Sequence, residues 1–126
     1  MDIVIDAETG ALSGSDSQVE WFRQIIRALI DKYHSISRPA QGIALQSVFD
    51  AVHDHYLLVE VGWEHHRRIH QIVIHIDILE EKVWLQRNET DQPLADELAQ
   101  AGIPRERIVL GFQRPDRRQF TEYATA

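Results

Sequence analysis

The chain has 126 residues, a length suited to one domain around one core. Its 44% hydrophobic and 26% charged residues match an ordinary globular protein; no apolar run approaches the roughly 18–20 residues that span a bilayer, and the lack of cysteine excludes disulfides, thiolate metal sites and cysteine nucleophiles. The formal charge of −7 is concentrated at the start, where Asp2, Asp6, Glu8, Asp16 and Glu20 meet no Lys or Arg; the remainder is close to neutral and gives no general support for gripping a phosphate backbone.

Residues 1–14 read as an acidic extension of a single domain covering 1–126. They hold a short β-like piece, IVID, and then a turn-prone loop. Their lack of basic residues does not fit a secretory signal, so a cytoplasmic location is expected. Val19, Phe22, Ile26, Leu29, Ile30 and Tyr33 then recur at steps of three and four, one face of an amphipathic helix. Ser17 with Glu20 fits a capping box at its start, and Arg23, Arg27 and Asp31 are expected on its wet face.

The breaker SRPAQG leads into four strand-like pieces, ALQSVFDA, YLLVEVGW, RIHQIVIHIDIL and KVWLQRN, joined so tightly that they must pair antiparallel. A short helix follows in PLADELAQAGIP, with Pro93 suited to its first turn, Gly102 to the position after it, and Pro104 to block continuation. IVLGF supplies a further strand, and RPDRRQFTEYATA a basic, then mixed tail. The fold class expected is α+β: a long N-terminal amphipathic helix and a short second helix on a mainly antiparallel sheet of four to five strands.

Six of the seven histidines lie between His53 and His75. Alternation along HQIVIHIDI places Ile72, Ile74, Ile76 and Ile78 on one face, and Gln71, Val73, His75 and Asp77 on the other. His75 and Asp77 thus share a face, about 7 Å apart along the strand. In KVWLQRN the same rule separates Val83 and Leu85 from Trp84 and Gln86. A face carrying His75, Asp77, Trp84 and Gln86 is the first candidate site. A structural or interface role is favoured there over metal or acid–base chemistry.

The remaining histidines show no obvious convergence. His53, His55, His65 and His66 read as solvated strand ends and turns, and His70 falls on the isoleucine side. No HExxH, GxSxG, P-loop or GxGxxG pattern occurs, so neither a metal, a cofactor nor a catalytic residue is expected. The carboxylates of DELAQ and ILEEK fit a helix face and a turn. The second candidate site is the cluster Arg105, Arg107, Arg114, Arg117 and Arg118, opposed nearby only by Glu106 and Asp116. Solvated or ion-paired arginines, docking to an acidic protein surface and nucleic-acid contact are all open readings of it.

From Tyr56 onward the chain resembles the XisI-like fdxN-element excision controlling factors of cyanobacteria. The resemblance is carried by Gly62 and Trp63 with Arg68 after them, HIDI (His75 to Ile78) and the KVWLQ strand. AGIP (Ala101 to Pro104), IVLGF (Ile108 to Phe112) and RPxxRQFTEYA continue it in order, and the helix ending LIDKY is similar to that family's first helix. Two turns depart from the pattern: Glu81 stands at the usual glycine before the KVW strand, and NETD (Asn88 to Asp91) replaces a glycine-containing turn. Both lack a residue that takes positive φ freely. The resemblance implies a role in programmed DNA excision beside a site-specific recombinase and a nuclease-like second factor, XisH. It supplies no catalytic residue.

Taken with the residues, it implies a non-catalytic accessory factor without cofactor that binds an XisH-like partner and self-associates as a homodimer or larger homo-oligomer, with no membrane contact. A direct DNA-binding cofactor of the recombinase is the alternative, and a small metal-dependent hydrolase built on His75 and Asp77 ranks last.

Overall fold

Helix α1 (Gly14–Ile36) buries Phe22, Ile25, Ile26, Leu29, Ile30 and Tyr33, with Val19 packed at the margin. Each such side chain stabilises by about 1.5–3 kcal/mol on leaving water, far more than helix propensity contributes. The computed structural model describes residues 14–126, so the IVID piece and its loop lie outside the described residues. The helix starts a turn earlier than the Ser17 cap expected from the sequence. Asp16 sits in its first turn, where the helix dipole favours a carboxylate, and Glu20 pairs with Arg23 at 3.2 Å and Arg27 at 3.7 Å.

Strands β1 (Ile43–Asp50), β2 (His55–Glu64), β3 (Arg67–Leu79), β4 (Lys82–Asn88) and β5 (Ile108–Leu110) form one sheet in that order. The first three pairings are antiparallel, as the short connections require. The last is parallel, because α2 (Leu94–Ala101) carries the chain back across the sheet before β5. The α+β arrangement is therefore the one expected. Helices α1 and α2 pack on one face, against Tyr56, Leu58, Ile74, Ile76, Ile78, Val83, Leu85 and Ile108. The tail is more ordered than its composition suggests: a four-residue helix, α3 (Pro115–Arg118), precedes a parallel bridge from Ala124 to Val109 on the outer edge of β5.

Two bulges decide which side chains share a face. The turn at His65–His66 pairs Glu64 with Arg67, and a regular continuation would oppose core residues of β2 to outward residues of β3. The ladder instead slips at Leu58/Val59, leaving Val73 as the extra residue, so that Tyr56 and Leu58 face Ile76 and Ile74. This corrects the simple alternation in two places. Val73 packs against the core, and Ile72 and His70 turn to the opposite face. The second slip, between His75 and Ile76, leaves Gln86 as the extra residue of β4.

Arg23 is also a correction, for it is 7% exposed rather than on the wet face. Its Nε donates to Asp54 Oδ1 at 2.7 Å and its Nη2 to Asp54 Oδ2 at 3.1 Å, while Tyr56 Oη donates to Asp54 Oδ1 at 2.8 Å. The bidentate pair and Glu20 hold the guanidinium charged, and burial pushes the Tyr56 phenol up. On α2, Glu97 accepts from Lys32 at 2.7 Å and from Tyr33 at 2.5 Å, tying α2 to α1; burial and that carboxylate push the Tyr33 phenol up to about 12.

The turns that lack the family's glycines solve the problem differently. Glu80 and Glu81 take φ values of 51° and 65°, the left-handed pair of a two-residue hairpin turn, despite their side chains. Asn88 instead accepts from the Thr90 N–H and hydroxyl through Oδ1 and donates to Gln92 O, closing its loop by side-chain bonding. Gly62, by contrast, is sterically required: a Cβ there would meet Gly42 O at 2.0 Å, and φ is 156°.

Two outcomes follow for stability. Arg23→Ala should cost about 2–4 kcal/mol in urea unfolding, since it strands Asp54 and Glu20 with little solvent around them; a loss below about 0.5 kcal/mol would show the pair to be incidental. Glu81→Gly should raise stability by roughly 0.5–1 kcal/mol by relieving the left-handed conformation. No gain would mean that Glu81's side-chain interactions outweigh the strain.

Candidate functional site

Tyr56 is buried in the core beneath the helices, so its neighbour at the start of β2, His55, emerges on the opposite face of the sheet. The slip at Val73 then sets Asp77 directly across from it; without that slip His55 would face Ile76. His55 Nδ1 lies 2.8 Å and His75 Nε2 2.7 Å from the same atom, Asp77 Oδ1. The two imidazole rings meet edge to face, their centroids 6.5 Å apart. Side-chain exposure falls from 55% for His55 to 29% for His75 and 15% for Asp77, so the carboxylate forms the floor of the cluster. The hydrogen bond to Asp77 outweighs desolvation and raises the His55 pKa from its ordinary value.

Gln86 completes the group. Bulged out of β4, its Nε2 donates to Asp77 Oδ2 at 3.2 Å. Its amide lies across Gly111, where a Cβ would stand 2.2 Å from Oε1. The expected quartet of His75, Asp77, Trp84 and Gln86 is thus on one face, Trp84 being the register partner of Asp77. Sequence reasoning missed His55. The spacing within β3 reveals His75 and Asp77, but His55 joins them only through a bulge that the periodicity does not announce.

The five arginines do not form one open patch. Arg118 is 8% exposed: its Nε donates to Leu110 O and Gln113 O, and its guanidinium lies 5.1 Å from the centre of the Trp84 ring. Arg105 pairs with Asp96 at 3.1 Å and Glu122 at 3.3 Å, and donates to Tyr123 Oη at 2.8 Å. Arg107 donates to Glu81 O, and Arg114 makes a double contact with Asp116. Arg117 is exposed.

Beyond the cluster, the face away from α1 carries Val48, Leu57, Val59, Val61 and Ile72, all at least partly open to solvent. Trp63, 53% exposed, lies at its far end with Arg68 5.4 Å from the ring centre. The C-terminal segment covers this face only around Trp84, and nothing among the described residues covers β1 to β3. His65, His66 and His70 are exposed, and His53 is held by Asp50 at 2.9 Å. A cleft of about 670 Å³ lies elsewhere, between the end of α1 and residues 89–92; Lys32, Tyr33 and Glu97 in its wall satisfy one another. No helix among the described residues is long and apolar enough to cross a membrane.

The family model of the XisI protein matches residues 17–125. Among solved structures, a XisI-like protein from Anabaena variabilis ATCC 29413 is 40% identical with a TM-score of 0.80, covering 86% of this chain and 99% of its own. The fdxN element excision controlling factor XisI from the same organism is 31% identical with a TM-score of 0.78, at the same coverage. No curated protein matches the chain. With the family pattern running through α1, the sheet and the tail, the chain belongs to the XisI family.

Proposed function

We propose that this chain is a non-catalytic controlling factor of DNA-element excision that acts by binding a protein partner, an XisH-like factor, through the open face of its sheet. Family membership supports the process. The observation that carries the mode of action is the one-sided sheet: α1 and α2 cover one face, while the other presents a row of Leu57, Val59, Val61 and Ile72 flanked by Trp63, Trp84, His75 and Asp77. An apolar centre with aromatic and arginine flanks is the composition of a protein interface. A single-sided antiparallel sheet is stable with one wet face, but that face is then normally polar. Self-association through the same surface fits its composition as well.

The matched charges of the arginine-rich segment favour this reading over direct DNA binding. Four of the five arginines are spoken for by carboxylates, carbonyls or the Trp84 ring, and the chain carries a net charge of −7.

Co-expression with the XisH-like factor of the same genome, tagged only on that partner, should yield one species of defined mass. Trp84→Ala should weaken the association at least tenfold, and Leu57→Arg, at the centre of the face, should abolish it with the circular dichroism spectrum unchanged. Clean separation of the two chains, or undiminished binding by a folded Leu57→Arg variant, would remove this face from the account.

A further inference from the structure

We infer that His55, His75 and Asp77 form a binding site for a divalent transition-metal ion of the zinc class. Their ligand atoms lie within 4.8 Å of one another, the sole such gathering of three found among the described residues. The site is built on two paired strands rather than on a loop, with Asp77 opposite His55 and His75 two residues away on the same face. Rigid placement of this kind lowers the cost of converging ligands.

The donor set is specific in its chemistry. Two imidazoles and one carboxylate suit zinc, iron(II), cobalt(II) or nickel(II), whereas calcium and magnesium call for oxygen ligands alone. Three protein ligands with solvent on the fourth side leave an open coordination position. Asp77 Oδ1 accepts hydrogen bonds from both rings, at 2.8 and 2.7 Å. An ion would replace those two bonds and engage Nδ1 of His55, Nε2 of His75 and Oδ1. Tetrahedral ligands at bond lengths of about 2.0–2.1 Å stand roughly 3.3 Å apart, so the ring nitrogens, in a cluster that spans 4.8 Å, have to close on each other while each draws back about half an ångström from Oδ1. His55, half exposed at a strand start, has the room to do so.

The surroundings act on the ligand as outer partners do in metal sites. Gln86 holds Oδ2 at 3.2 Å and leaves Oδ1 for the ion, and Gln86 is in turn seated on Gly111. It is a positioning residue. This also gives a physical reason for a β-bulge at Gln86: the bulge aims the amide at the carboxylate.

Isothermal titration of the chelator-treated full chain with zinc chloride should show one ion per chain with micromolar or tighter affinity, and cobalt(II) should develop visible absorption bands. His55→Ala and Asp77→Asn should each weaken zinc binding at least tenfold with the fold intact by circular dichroism. Gln86→Leu should weaken it by about 10–100-fold, while His53→Ala and His65→Ala leave it unchanged. Absence of binding at millimolar zinc, or undiminished affinity in either His55→Ala or Asp77→Asn, would overturn the assignment.

Discussion

The buried contact between Arg23 and Asp54 fixes the relation of helix to sheet, and much else depends on it. A guanidinium fork closed on a carboxylate specifies both a distance and an orientation. It binds the third turn of α1 to the turn between β1 and β2, while Tyr56 braces the same carboxylate from within the sheet. Apolar packing holds α1 against Tyr56, Leu58 and the isoleucines of the sheet, and the ion pair adds a directional contact to that packing. Tyr56, buried on the core side of β2, also puts its neighbour His55 on the opposite face, so the geometry of the candidate site begins in the core.

The second constraint is parity. A two-residue hairpin turn commits the pairing of β2 with β3, and the hydrophobic residues of the two strands are out of step with that commitment. One extra residue, Val73, reconciles them, and the same slip delivers Asp77 to His55. The feature that lets the core close is therefore the one that assembles the cluster. On β4, Gln86 uses a second slip to reach Asp77. Bulges of this kind re-aim side chains, and here both re-aim groups toward one carboxylate.

These constraints explain what was legible in the sequence. The α1 stripe, the four β strands around the histidines, the second helix between Pro93 and Gly102, and the pairing of His75 with Asp77 and of Trp84 with Gln86 each on one face follow from local period and turn chemistry; that the two pairs share a face depends on the register of β3 with β4. What escaped reading was long-range. Arg23 falls on the charged side of the helical pattern, and nothing within a turn of it reveals a partner 31 residues away. His55 lies 22 residues from Asp77 and depends on a bulge. Arg118 looks like part of a basic patch, yet it is consumed in anchoring the tail over Trp84. Charge counts along a chain do not say which charges the fold will spend internally.

The picture that results is of a XisI-family chain with one face of its sheet under the helices and the other open, the face proposed to bind a partner. Covalent footprinting of this chain with and without the proposed XisH-like partner tests that division most directly. Trp63 and His75 report on the open face, and Trp21, 51% exposed beside Gly102 where α1 meets the end of α2, reports on the other. Protection of Trp63 and His75 with Trp21 unchanged is the predicted result. Protection of Trp21 with the sheet face still reactive would contradict the account.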